Sequence, residues 1–339
     1  MTMANVLVLG GTSFIGPSVV RSLVEAGHKV AVFNRGRTEA NLPDGVERIV
    51  GERTRIDVAR EAFRDFDPDV AIDMYAMTEE DARLANLGLR DVTGRMVAIS
   101  SMDVYRAYDR LRKAQPGPPD PVPLTEDSPL REHLYPYRGE HRPEGLDRPW
   151  LHDYDKILVE RVVMSDPEMP GTIVRLPMVY GERDGQHRYW QYLKRMDDGR
   201  PAIVLNERLA DWRSTWGYVD NIANAIARVA TNDQAAGRIY NLGEQNPPTT
   251  AELVREIASV AGWDGQIVTF SDEDLDPGID PDQQFVASTE RVREELGYEE
   301  RVPRREALSR TVAWERANPP ENPMAGIDYG REDELLSAV

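Results

Sequence analysis

The segment Gly10-Gly11-Thr12-Ser13-Phe14-Ile15-Gly16 has the composition and spacing of an anion-binding turn. Gly10 permits a tight reversal, small residues let the backbone approach a pyrophosphate, and Gly16 lets the next helix pack close to the preceding strand. The apolar run 5–9 in front of it reads as a strand buried on both faces. Residues 14–26 carry apolar side chains at helical spacing and stop at Gly27, so a helix N-terminus with free N–H groups faces the turn. An ordinary glycine-containing βα turn is the plainer alternative, but strand, turn, helix and a second strand all agree here. The predicted ligand is a dinucleotide, held by Gly10, Thr12, Ser13, Phe14, Ile15 and Gly16.

The elements that must position this turn alternate regularly. Apolar runs at 29–33, 46–50, 69–74 and 95–99 read as strands, with a charged helix ending near Phe66 and another over 79–91. Strands joined by crossover helices predict an α/β fold, a Rossmann-type doubly wound parallel sheet. Further on, the pattern predicts helices over 153–164, 189–197, 219–230 and 250–261 and strands over 172–175 and 238–242. Between Arg106 and Trp150 it breaks: Gln115-Pro116-Gly117-Pro118-Pro119-Asp120-Pro121 excludes helix and central strand. Such a stretch is a lid, a binding loop or an ornamental insertion. The expected organisation is a dinucleotide-binding lobe over 1–180, completed by 217–243, and a smaller substrate lobe from 181–216 and 244–317. Residues 318–339 are expected to be a tail or a surface-clinging arm.

Composition narrows the chemistry. The 339 residues contain no cysteine, which excludes disulfides, thiolate catalysis and Cys-ligated metals. The net charge of -18 opposes nucleic acid and anionic membranes, and no run approaches the ~18 apolar residues of a membrane helix. No basic stretch leads into an apolar run at the start, so the expected location is cytoplasmic. Lys29, Lys113, Lys156 and Lys194 are the only lysines among 41 basic residues, so a lysine at a chemically apt position carries extra weight. His133, His141, Glu126 and Asp127 fall in the irregular segment at no metal-binding spacing, and no metal is expected.

Several segments together resemble the extended short-chain dehydrogenase/reductase superfamily, which includes the nucleotide-sugar epimerases and dehydratases. Gly10 and Gly16 stand at the first and third glycines of that family's Gly-x-x-Gly-x-x-Gly turn, and Ser13 stands at the middle one. The string Gly-Gly-Thr-x-Phe-Ile-Gly is most similar to an atypical branch that includes the chloroplast stem-loop-binding proteins. Ile99-Ser100-Ser101-Met102-Asp103-Val104-Tyr105 resembles the segment after the fifth strand, with Ser101 at the catalytic Ser/Thr position. Thr125-Glu126-Asp127-Ser128-Pro129-Leu130 is similar to the loop that follows. Arg175-Leu176-Pro177-Met178-Val179-Tyr180-Gly181 resembles the segment bordering the nicotinamide, which implicates Pro177 and Val179. Trp216-Gly217-Tyr218-Val219-Asp220 and Gly237-Arg238-Ile239-Tyr240-Asn241-Leu242-Gly243 resemble two later family segments.

The resemblance implies Tyr-x-x-x-Lys on a helix, where the lysine holds the nicotinamide ribose and lowers the pKa of a tyrosine acid–base. Here Lys156, followed by Glu160 at the family's spacing, has His152 four residues before it and Tyr154 two before it. In a continuous helix Tyr154 would point about 200° away from Lys156. Three readings stand open. His152 is the acid–base group, since a free imidazole's pKa of about 6.5 suits that work. Alternatively Tyr154, or Tyr135 or Tyr137 from the irregular segment, swings in. In the third, the site has lost this chemistry and the protein is a non-catalytic sensor or scaffold. At the end of the second strand, Asn34-Arg35-Gly36-Arg37 lacks the acid that NAD enzymes place there. Arg35 and Arg37 favour the 2′-phosphate of NADP(H), by about 1.5–3 kcal/mol per charge-assisted contact, with NAD(H) as the alternative. Glu52, Arg53 and Tyr75 are further cofactor candidates; Arg213 and Tyr218 join Ser101 as substrate candidates. The expected activity is NAD(P)-dependent epimerase, dehydratase or reductase chemistry at a hydroxyl or carbonyl carbon of a nucleotide sugar or related small metabolite. A homodimer is implied by the resemblance.

Overall fold

The computed structural model describes residues 3–38, 40–139, 148, 150–271 and 275–338. Strands β1 (Asn5–Leu9), β2 (Lys29–Asn34), β3 (Glu47–Val50), β4 (Val70–Asp73), β5 (Met96–Ser101) and β6 (Gly171–Leu176) alternate with helices α1 (Ile15–Glu25), α2 (Arg60–Phe66), α3 (Glu79–Leu89), α4 (Arg106–Leu111) and α5 (Lys156–Val163). The rest comprises β7 (Met178–Tyr180), α6 (Trp190–Asp197), β8 (Ala202–Asn206), α7 (Glu207–Asp211), β9 (Trp216–Tyr218), α8 (Val219–Ala230), β10 (Ile239–Asn241), α9 (Thr250–Ala261), β11 (Gln266–Phe270), α10 (Glu290–Leu296), α11 (Arg304–Ala317) and α12 (Tyr329–Ser337). One seven-stranded parallel sheet runs β10-β6-β5-β4-β1-β2-β3.

The continuous apolar runs split by their two-residue period into two cores. Val6, Val8, Val30, Val32, Val70, Ile72, Val97 and Ile99 face one side, against Val19, Val20 and Leu23 of α1 and Ala223 and Ile226 of α8. Leu7, Leu9, Ala31, Phe33, Ala71, Met96 and Ala98 face the other, against Phe63, Ala82, Ala85 and Val159. Each fully buried Val or Leu contributes about 1.5–3 kcal/mol, and this double burial is why the strands show no polar alternation.

One expectation is revised and two are made more specific. Helix α5 begins at Lys156, not at 153, because Asp155 in extended conformation caps it: its carboxylate accepts from the Ile157 N–H at 2.9 Å. The irregular segment is stitched down rather than free: it contains α4, and the buried guanidinium of Arg131 binds the carbonyls of Asp103 and His133 and the Asp155 carboxylate. His141 lies outside the described residues. The C-terminal segment carries α12, whose Glu332 pairs with Arg195 at 2.5 Å and whose Leu335 is buried.

Between α5 and the sheet runs a buried polar network. Glu160 accepts from Ser100 Oγ at 2.6 Å and from Arg175 Nε and Nη2 at 2.9 and 2.8 Å. Arg175 Nη1 also reaches the Tyr105 hydroxyl at 3.1 Å and the Glu126 carbonyl at 2.9 Å. Tyr105 in turn donates to Asn241 at 2.6 Å. Removing one partner of a buried pair strands the other charge, so Arg175→Met is expected to cost about 3–5 kcal/mol in urea unfolding. Arg175→Met combined with Glu160→Gln is expected to recover a clear part of that loss.

Candidate active site

Strand order reverses between β1 and β4, which opens a crevice at the carboxyl ends of the sheet. On the β1 side, Gly10 (φ 97°) donates its N–H to Phe33 O at 2.9 Å, and the Gly16 N–H closes the turn onto Ser13 O at 2.9 Å. A Cβ on Gly16 would lie 2.5 Å from the Gly11 Cα, so no other residue fits there. Phe14 stands at the helix cap with a positive φ of 43°, no side chain caps α1, and no acid occupies its first turn. Gly16 spends its N–H on Ser13 O and Pro17 has none, so within the first three helical residues the Ile15 N–H is the one left for an anion. These residues fit a dinucleotide pyrophosphate.

At the end of β2, Asn34 Oδ1 accepts from the Gly36 N–H at 2.7 Å, and Arg35 and Arg37 are exposed. Arg37 meets Glu52 at 2.9 Å on the surface. Arg53 differs from the expectation of a cofactor contact. Its guanidinium grips the fully buried Asp73 carboxylate at both nitrogens and lies 3.3 Å from Asp81, which leaves it a structural role at the end of β4. Tyr75, half exposed, follows Asp73 at the rim and donates its N–H to that carboxylate at 3.0 Å.

The late start of α5 decides the other side of the crevice. Tyr154 and Lys156 lie either side of Asp155 around extended backbone, so both reach inward: the Lys156 amine sits 5.9 Å from the Tyr154 ring centre. The amine donates to Ala76 O at 2.5 Å and Ile99 O at 3.0 Å, the carbonyls beyond β4 and within β5. Burial pushes its pKa down to about 8, against the pull of Asp103. Ser101 closes β5, and its Oγ accepts from the Asp103 N–H at 3.2 Å. The Asp103 carboxylate accepts from the Tyr154 hydroxyl at 2.7 Å and from the Tyr137 hydroxyl at 3.3 Å. His152 lies apart, exposed in a short 3-10 turn with Nδ1 3.0 Å from Asp153.

The substrate candidates separate. Arg213 is held by the Pro247 carbonyl at 2.8 Å and lies 3.5 Å from Glu252. Tyr218 is fully buried, donating to Glu182 at 2.8 Å among Tyr180, Tyr189 and Trp216. Val179 is buried and Pro177 partly exposed at the β6–β7 junction. The spacing arguments missed Asp103, Tyr108 and Arg131; the acid two residues past Ser101 was the available signal. Hollows at the opposite end of the sheet, lined by Asp69, Arg95 and Asp233, and beside α9 stand apart from this site.

The reversal between β1 and β4, with the glycine turn at its mouth, makes this a Rossmann-type dinucleotide-binding fold. The chain belongs to the NAD dependent epimerase/dehydratase family, which it matches over residues 6–112 and 146–243. It is 29% identical to 2'-dehydrokanamycin reductase of Streptomyces kanamyceticus over 298 residues, covering 85% of this chain and 75% of that protein. It is 23% identical over 313 residues to the chloroplast stem-loop binding protein of 41 kDa b of Arabidopsis thaliana, covering 87% and 74%. The solved dTDP-glucose 4,6-dehydratase of Bacillus anthracis, in complex with NAD, superposes with a TM-score of 0.67 at 17% identity over 94% of this chain and 97% of that one.

The four lysines make the amine directly observable. Side-chain 15N NMR is expected to show one lysine titrating near 8 and absent from Lys156→Met, with Lys29, Lys113 and Lys194 resolved from it. Because the folded value lies below the unfolded value of about 10.4, this group makes stability rise with pH between about 8 and 10.4.

Proposed function

We propose that the protein is a nicotinamide-dinucleotide-dependent oxidoreductase, working at a hydroxyl or carbonyl carbon of a sugar-like metabolite, with NADP(H) preferred. The observation that carries this is the pairing of Tyr154 with Lys156 beside the Ser101 strand end, set up by the Asp155 cap. Tyr154 rather than His152 is the proton-transfer group, because His152 is exposed on the far side of Asp153. Lys156 presents its amine to the nicotinamide ribose, and Ser101 polarises the substrate oxygen. The dinucleotide, when bound at the glycine turn, supplies or accepts the hydride. Arg35 and Arg37 meet the 2′-phosphate, Arg37 exchanging Glu52 for it. The similarity to a reductase over most of the chain favours reduction of a ring carbonyl over epimerisation. Exposed Leu87 on α3 and Met164 just past α5 favour a homodimer through those helices. The -18 charge disfavours the nucleic-acid role that the chloroplast relative's name describes.

A second reading has one observation in its favour. Tyr154 and Lys156 are 6% and 4% exposed, closed in by their present partners, as suits a non-catalytic dinucleotide sensor or scaffold.

Calorimetric titration with NADPH and NADH separates the possibilities. Expected is tighter binding of NADPH, reduced about 10- to 150-fold by Arg35→Ser with Arg37→Ser. Turnover of a panel of keto sugars, free and nucleotide-linked, is expected to fall about 10²–10⁴-fold in Tyr154→Phe with cofactor binding intact. Equal turnover in His152→Ala and loss in Tyr154→Phe supports the assignment; the reverse overturns it. Cofactor binding without turnover on any member favours the sensor.

A further inference from the structure

Asp103 is out of place for a carboxylate. It is 6% exposed, and its Oδ1 is shut away with no hydrogen-bond partner. Its Oδ2 receives the hydroxyls of Tyr154 and Tyr137, and the Tyr137 oxygen lies 3.0 Å from that of Tyr108. The line therefore runs from Tyr154 at the mouth of α5, through a carboxyl, to two phenols that are partly exposed. Among the described residues, the charged groups acting on Asp103 are the Arg131 guanidinium on its own carbonyl, the Lys156 amine and the Asp155 carboxylate, its titratable neighbours include the three phenols, and the Arg112 guanidinium stacks over Tyr108 and Tyr137.

We infer that Asp103 is a proton-relay residue that acts through Tyr154, holding a proton it returns to the phenol after turnover and refilling it through Tyr137 and Tyr108. The inference rests on Tyr154 as the proton-transfer group. Geometry gives the reason. A phenol has one proton, and while Asp103 is ionised that proton is committed to Oδ2. When Asp103 carries the proton, it donates along the same 2.7 Å contact, and the phenolic hydrogen turns to the substrate oxygen. In the reducing direction, hydride from the reduced nicotinamide forms the new C–H bond as the carbonyl π bond breaks. Tyr154 gives its proton to the resulting oxygen, Asp103 gives its own to the Tyr154 oxygen, and Tyr137 reprotonates Asp103. Tyr137 is refilled through Tyr108 from solvent, so one solvent proton is consumed per cycle. Burial, the leading influence on Asp103, acts in the same sense by favouring its neutral form.

Infrared difference spectroscopy of wild type minus Asp103→Asn tests this without a substrate. Exposed Asp and Glu are ionised above about pH 6. A protonated-carboxyl C=O band that persists in wild type above that pH, and is missing in Asp103→Asn, is the expected result. No such difference band overturns the proposal. Should Asp103→Asn fail to fold, Tyr137→Phe and Tyr154→Phe serve: each removes a hydrogen bond to Asp103, so the band must shift in both, and a band unmoved by both overturns the proposal. With NADPH and an accepted keto sugar, kcat for reduction is expected to fall as pH rises through the infrared midpoint, and Asp103→Asn to flatten that limb. An unchanged limb overturns the relay. If Tyr154→Phe leaves turnover untouched, the assignment of Tyr154 fails, and that failure is distinguishable because the wild-type minus Asp103→Asn carboxyl band is read without substrate and does not depend on turnover.

Discussion

The buried guanidinium of Arg175 ties together elements far apart in the chain. It clasps Glu160 from α5, the hydroxyl of Tyr105 and the backbone at Glu126, and through Tyr105 it reaches Asn241 on β10. A charge this deep is tolerable only if every donor is used. Its position in β6 thereby dictates where α5, the end of β5 and the loop around 126 come to rest. Glu160 lies one turn along α5 from Lys156, so fixing the carboxylate fixes the amine. At the other end of the helix, Arg131 and the Tyr135 N–H hold Asp155 in place as the cap. The site is the part of α5 left between these two clamps.

Most of the fold was legible because its strands are buried on both faces. That burial writes itself into the chain as unbroken apolar runs between glycine and proline punctuation, and the sheet with its glycine turn follows. Helices α8 and α9 match their expected spans residue for residue. Strand β11 was not legible, because its mixed burial leaves little periodic signal, and its partner β8, a short buried apolar run, stands outside the strand–helix alternation of the main sheet. The candidate catalytic element was half legible. Lys156 stood out, but its geometry turned on whether Asp153 or Asp155 caps the helix. Both are good caps, and the choice is made by Arg131 and Tyr135, 24 and 20 residues away in sequence but adjacent in space. No local pattern carries that information. Asp103 and Arg131 escaped for the same reason, since each is defined by partners in a segment with no regular period.

The acidic character of the chain coexists with a locally different electrostatic scheme. Overall charge is -18, yet the crevice is furnished with Arg35, Arg37 and Lys156, and most arginines elsewhere among the described residues are committed to a carboxylate or a carbonyl. The general field steers by sign, whereas the glycine turn binds by backbone N–H groups that no change of surface charge can remove.

The core on the α1 and α8 side does not stop at the sheet. From Val6 and Val32 it runs without interruption through Tyr180, Tyr189 and Leu193 to Ile203, Leu253, Val254 and Leu308. The two expected lobes therefore share one interior. Neither half can lose its order while the other keeps a complete set of contacts. Domain-like hinge motion would have to tear that interior. Access to the crevice is consequently the business of side chains and loops at its rim, with the body of the molecule moving as one.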